Sequence, residues 1–263
     1  MQSKYGYENL CFAFFDCNLQ KCLYITNSLM ETGMKKDKKN TSMETAYQAI
    51  LERIMHEQFE PGMPLREDHL AAELGISTTP IREAFRRLEH EGWLQSRPFR
   101  GVFLRKFTRQ DICELYYLRS ALEGAAAEAA AKNATAEDFE KLHDVLETEK
   151  VYVRENIQAA PGCIKPNIEG DLIFHAAIAD AAHNQLLEQR LQMLKAQTSY
   201  AFLNWRSTGP YSAQDLLRVQ EEHWMIYLAI QRGWDSLAKM LMEKHISAAR
   251  ENHLKYLVLP DSE

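Results

Sequence analysis

Residues 67–105, EDHLAAELGISTTPIREAFRRLEHEGWLQSRPFRGVFLR, decide how the rest of the chain is read. Leu70, Ala71 and Leu74 form one apolar face of a short helix. Gly75 ends it, because glycine enters the left-handed conformation without steric cost. Ser77 or Thr79 can cap the next helix, and Pro80 is tolerated in a first turn, where its missing N–H has no partner to lose. Ile81, Ala84, Phe85 and Leu88 recur at helical spacing, with Arg82, Arg86 and Arg87 expected on the solvated side. Gly92 stops this helix. Two extended runs follow, Trp93 to Arg97 and Val102 to Lys106, joined through Pro98, Phe99, Arg100 and Gly101.

Helix, tight turn, helix and hairpin make a winged helix-turn-helix, whose second helix is shaped to enter a DNA major groove by its N-terminal end. From Ser77 to Lys106 there are seven Lys or Arg and three Glu, whereas the whole chain of 263 residues has a formal charge of −6. A basic face on an acidic protein is what phosphate contact requires. A winged helix used for protein contacts would not need it.

The residues Leu74-Gly75-Ile76-Ser77-Thr78-Thr79-Pro80-Ile81-Arg82-Glu83-Ala84, with Leu88, Gly92 and Trp93, resemble the DNA-binding signature of GntR-family transcriptional regulators. The resemblance implies that Arg66, Thr79 and Arg82 lie at or near DNA and that Gly101 lets the wing approach the minor groove. Ser77, Thr78, Arg86 and Arg100 complete the candidate DNA-binding set. Where the family commonly carries arginine, this chain has Thr78. Threonine can bond a phosphate or touch a thymine methyl, but it cannot make an arginine's bidentate guanine contact.

The length allows two domains with cores of their own. Apolar content of 46% and charged content of 26% are ordinary for a globular protein. No apolar run approaches the roughly 20 residues that span a bilayer. The five cysteines, at 11, 17, 22, 113 and 163, contain no C-x-x-C pair and leave an odd one over. They favour neither a disulfide framework nor a cysteine zinc site, and a reducing cytoplasm is the expected compartment. Residues 1–41 read as an extension, disordered or the product of a mis-called start, with translation beginning at Met34 or Met43. Tyr47, Ile50, Leu51, Ile54 and Met55 then mark an amphipathic helix running to Phe59. The DNA-binding domain is thus expected over 42–106.

Beyond Thr108 the strand signals vanish. Six helices are predicted, over about 109–131, 135–155, 167–182, 184–206, 212–231 and 234–256. The fold class is therefore mainly α, a winged helix-turn-helix followed by an all-helical bundle over 107–256, with 257–263 as a tail. Asp171 and His175 are four apart and share a helix face. His223 falls in the stripe Leu216, Val219, His223, Ile226, Ile230, and His245 lies in line with Leu241 and with Ala248 or Ala249. Three histidines and an aspartate directed at a core are costly unless paired. A divalent metal, taking neutral imidazole and carboxylate together, removes that cost.

The run Asp171-Leu172-Ile173-Phe174-His175, with Asn184-Gln185-Leu186-Leu187, Glu222-His223 and His245, is similar to the FCD effector domain of the FadR subfamily. Tyr117-Leu118-Arg119-Ser120-Ala121-Leu122-Glu123 matches the start of that domain. The resemblance implies a metal on Asp171, His175, His223 and His245, commonly zinc, with nickel or manganese as alternatives. It implies a small organic acid beside the metal, its carboxylate held by Arg119, whose competing role is a salt bridge to Glu123. The expected function is a ligand-responsive regulator, a repressor that binds a pseudo-palindromic operator as a homodimer. No nucleotide-binding glycine loop or nucleophile elbow supports an enzyme. A metal-dependent enzyme and a direct metal sensor are the rival readings.

Overall fold

A computed structural model describes residues 41–56, 58–158, 164–203 and 211–256. They form two compact units that divide between Phe107 and Thr108. The readings of residues 1–40 and of the tail lie outside the described residues.

The first unit runs α1 (Ser42–Met55), β1 (Pro64–Leu65), α2 (Glu67–Leu74), α3 (Thr78–His90), β2 (Leu94–Arg97) and β3 (Gly101–Leu104). Thr41 caps α1 by accepting from the Glu44 N–H. The helix stops at Met55, short of the predicted Phe59, where the apolar stripe ends and the Gln58 N–H closes back on Arg53 O at 3.0 Å. Gly75 ends α2 at φ 67°, as its sequence position demands. Ile81, Ala84, Phe85 and Leu88 bury one face of α3, packed against α1. Burying such a side chain is worth about 1.5–3 kcal/mol, so this stripe carries much of a small core.

Three details differ from expectation. Strand β2 begins at Leu94, one residue later than expected; Trp93 is 2% exposed, donates its N–H to Leu88 O and accepts from the Arg105 N–H, joining α3 to the hairpin. A third strand, β1, joins the sheet in the order β1-β3-β2, with Pro64 opposite Phe103. Pro64 suits that edge because it has no N–H to leave unpaired. Arg87 is not simply solvated. Its guanidinium lies 3.6 Å from the Tyr47 ring centroid and pairs with Glu44 and Glu91, tying α3 to α1.

The second unit is α4 (Arg109–Asn133), α5 (Ala136–Asn156), α6 (Ile168–Ala181), α7 (Gln185–Leu203), α8 (Ala213–Gln231) and α9 (Asp235–Tyr256). Three starts are spelled alike. Thr108/Asp111, Thr135/Asp138 and Ser212/Asp215 form reciprocal capping boxes at α4, α5 and α8, each worth about 1 kcal/mol. Helix α4 is central, packing on α6, α7, α8 and most extensively α9. Its small residues permit this. Ala126, Ala127 and Ala130 are buried, and a Cβ on Gly124 would meet Glu243 Cγ at 2.8 Å. The predicted and observed helix limits agree to within two or three residues, apart from 204–206, which lie outside the described residues.

Candidate functional site

Asp171 and His175 come from α6, His223 from α8 and His245 from α9. One ligand atom from each lies within 4.8 Å of the others. His175 Nε2 is 3.2 Å and His223 Nε2 3.3 Å from His245 Nε2. Asp171 Oδ1 lies 3.6, 3.5 and 3.9 Å from the Nε2 atoms of His175, His223 and His245. The three imidazoles are at most 3% exposed, while the Asp171 side chain keeps 35% of its surface open.

The other ring nitrogen of each histidine faces a carboxylate. His223 Nδ1 is 3.0 Å from Glu149 Oε1, and His245 Nδ1 is 2.7 Å from Glu222 Oε2. His175 Nδ1 contacts Glu123 Oε2. An ionised carboxylate can only accept, so each Nδ1 carries the proton and each Nε2 is left with a lone pair. Three lone pairs then converge on one another and on Asp171. That arrangement repels itself unless a proton or a metal cation stands between them. At metal–nitrogen lengths of about 2.0–2.1 Å, tetrahedral ligand atoms stand about 3.3 Å apart, which the separations of His175 Nε2 and His223 Nε2 from His245 Nε2 match. The residues therefore fit a divalent metal.

The electrostatics point the same way. Burial works against a charge on His223, but Asp171 and Glu149 outweigh it and push its pKa up to about 9. Burial, with His223 and His175 alongside, pushes His245 down to about 4 against the pull of Glu222. Burial would raise Asp171, yet His175 and His223 hold it well below the usual carboxylate range. The cluster welcomes positive charge but will not place a proton on every ring.

Arg119 lies in the same interior and donates from Nε to Glu123 Oε1 at 2.7 Å, with both side chains buried. Burial would raise the Glu123 pKa, but Arg119 and His175 hold it well below the carboxylate range. Glu123 thus links Arg119 to His175. Lys195 on α7 is 7% exposed and donates to Leu172 O at 3.1 Å. Burial lowers its pKa to about 8.

Glu149 and Lys195 were missed by the sequence reading; Glu222 entered it only beside His223 in the run similar to the FCD domain, and Glu123 only in the run from Tyr117 and as a partner of Arg119. Glu149 had a signal, since it continues the buried stripe Leu142, Leu146, Glu149, Val153 of α5. Glu222 was carried by the Glu222-His223 run without a role of its own, and Lys195 had no signal.

In the first unit, Ser77 holds the N-cap position of α3, but its side chain makes no capping bond. Ser77, Thr78 and Thr79 are exposed at that helix end, as are Arg86, Arg100 and Gly101. Arg82 donates from Nε and Nη2 to Glu67, the shortest bond 2.7 Å, and Arg66 donates from Nε and Nη2 to Asp68 at 3.1 and 2.6 Å. Both pairs are solvent-facing. The structure brings Ser77, Thr78, Thr79, Arg82 and Arg86 onto one helix, places Arg66 just before α2, and sets Arg100 and Gly101 at the hairpin turn.

A winged helix-turn-helix unit and a helical unit with a buried His/Asp cluster define a class of DNA-binding regulator. The chain belongs to the GntR family: residues 42–104 match "Bacterial regulatory proteins, gntR family", and residues 114–248 match the FCD domain. It is a transcriptional regulator of the FadR-like type and not an enzyme. It is 28% identical over 225 residues to the "Uncharacterized HTH-type transcriptional regulator YdhC" of Bacillus subtilis, covering 85% of this chain and 96% of that one. It is 30% identical over 219 residues to the "Probable D-xylose utilization operon transcriptional repressor" of Paenarthrobacter nicotinovorans, covering 83% and 92%. The solved structure of E. coli McbR/YncC shares the fold at a TM-score of 0.60 and 18% identity, covering 82% of this chain and 98% of that one. Among the described residues no helix is long and apolar enough to cross a membrane.

Proposed function

We propose that this GntR-family regulator is a cytoplasmic, homodimeric repressor controlled by a small carboxylate that binds beside a divalent metal. Asp171, His175, His223 and His245 hold the metal, with zinc the first candidate and nickel or manganese behind it. The observation that carries the reading is the pairing of every Nδ1 with a carboxylate, which turns three Nε2 lone pairs toward Asp171. The metal supplies a Lewis-acidic seat for a carboxylate oxygen. Arg119 orients the acid's second oxygen, and its tie to Glu123 and His175 couples the acid to the ligand shell.

The DNA-binding domain spans 42–106 and the effector domain 107–256. Arg66, Ser77, Thr78, Thr79, Arg82, Arg86, Arg100 and Gly101 contact a pseudo-palindromic operator. The helix end and threonines select sequence, and the arginines supply salt-dependent affinity. The effector changes operator affinity only by binding two arrangements of the dimer unequally.

One observation favours a second reading. Arg119 already spends its Nε on Glu123, so the metal alone can be the signal. The test is the metal content of full chain prepared without chelator or nickel affinity, beside His223→Ala. About one equivalent per chain, lost in the variant, is expected. DNA binding is then followed with metal alone and with metal plus a panel of small carboxylates. Control by metal alone selects the second reading, and no metal uptake by the wild type defeats both.

A further inference from the structure

The tip of the wing carries a feature that the helix-turn-helix does not need. Phe99 is 108% exposed and has φ 61°. Glycine or asparagine would occupy that left-handed position at lower cost, and neither would place an aromatic ring in water. A residue that is unfavourable twice over in the free protein points to a role when something covers it.

The surroundings say what covers it. From Gly92 to Phe107 the chain has Arg97, Arg100, Arg105 and Lys106 and no acidic residue. The Arg100 N–H donates to Arg97 O at 3.0 Å, closing the turn that presents the ring. Arg97 lies over the Phe103 ring at 4.5 Å, so its charge stays on the hairpin. The hairpin is also fastened to α3, because the Trp93 N–H donates to Leu88 O at 2.8 Å and the Ser96 N–H to Glu89 Oε1 at 3.0 Å. A tip fixed to the helix that enters the major groove is carried to the duplex with it. An apolar ring flanked by cations matches a minor groove, where phosphates line both edges and the floor between them is poor in specific donors.

We propose that Phe99 is a minor-groove wedge. Its ring lodges against, and partly unstacks, one base step beside the major-groove site, while Arg100 and Arg97 hold the flanking phosphates. The step is therefore a flexible pyrimidine–purine one, and the protein bends its operator there. This assigns a sequence preference to a position that makes no hydrogen bond to a base.

The experiment uses the full chain and a duplex that the wild-type chain selects from a random 30-base-pair library. Wild type, Phe99→Asn and Phe99→Leu are compared for affinity, salt slope, thermal midpoint and bend angle by permuted-site gel shift. Asparagine fits the left-handed backbone but has no ring. It is expected to leave Tm unchanged or higher and the salt slope unchanged, to weaken binding about tenfold, and to reduce the bend. Leucine keeps part of both effects. Replacing the pyrimidine–purine step at the wing with a stiff A-tract weakens the wild type and leaves Phe99→Asn unaffected. Wild-type affinity and bend in Phe99→Asn overturn the proposal. So does a loss of affinity that comes with a lower Tm, which makes Phe99 a prop of the hairpin. Normal DNA binding with weakened self-association also overturns it and assigns the ring to a protein interface.

Discussion

Arg82 on α3 and Arg119 on α4 each meet a glutamate at 2.7 Å, yet Arg82 keeps 55% of its side chain exposed and Arg119 only 7%. Equal distances conceal unequal consequences. The Arg82–Glu67 pair is solvated and screened by salt, so its partners separate cheaply. The Arg119–Glu123 pair has lost its water, and removing either partner leaves a buried charge short of compensation, although Glu123 keeps its contact with His175. The first arrangement suits a surface that must exchange a protein carboxylate for a DNA phosphate. The second suits a site built around a bound charge. It extends from Glu123 to His175 and on to the other histidines, where the same rule makes the absence of a cation costly.

The largest effect is expected at the buried end of that contrast. His223→Ala removes a proposed metal ligand and takes the paired imidazole from buried Glu149, which is expected to cost about 3–5 kcal/mol by urea unfolding. Glu149→Gln keeps all four ligands but weakens metal affinity about 10- to 100-fold, read by competition with a chromophoric chelator. If Glu149→Gln holds metal as tightly as the wild type, the paired carboxylate is not tuning the imidazole. The contrast would then rest on burial alone.

Lys195 sharpens the same point through pH. Its folded pKa of about 8 lies below the ordinary lysine value of 10.5, so between those values the unfolded chain binds more protons and stability rises with pH. Below pH 8 the full penalty is present. Lys195→Met in metal-free protein is therefore expected to be more stable than wild type at pH 7 by on the order of 3 kcal/mol, with the gap closing by about pH 10.5. A gap that is independent of pH would assign the gain to packing instead of desolvation.

Much of this organisation was legible in the sequence, for physical reasons that differ by region. Gly75 and the stripe from Ile81 to Leu88 act locally, so spacing alone located those helices, whereas the three Ser/Thr-x-x-Asp boxes are equally local but went unread. Asp171 and His175 were legible because one helix turn separates them, and His223 because it interrupts an apolar stripe. The pairing of His223 with Glu149 joins α8 to α5 across 74 positions, and no local period encodes a partner so distant. Strand β1 was missed because two residues carry no alternation, and Arg87 because its cost is met by Glu44 and Tyr47 on another helix.

At the exposed end the effects are smaller and belong to DNA instead of the fold. Arg82→Ala is expected to weaken binding to the selected operator roughly ten- to hundredfold, while metal and carboxylate binding persist. Loss of carboxylate binding in that variant would contradict the separation of the two roles.

Glu67→Gln is the finest probe of the comparison. Glu67 occupies the Arg82 guanidinium, so DNA that contacts Arg82 as proposed must displace it. Glutamine keeps the shape and one acceptor but loses the charge. Because the displaced pair is solvated, its loss is expected to tighten binding to non-specific duplex only about two- to fivefold at low salt, with the difference vanishing at high salt. Selected-operator affinity should gain less, since Glu67 also holds Arg82 in the fork geometry that base contact requires. A Glu67→Gln protein that gains equally on both duplexes would make Glu67 a simple competitor. One that loses operator affinity while gaining non-specific affinity would show the carboxylate trading strength for selectivity.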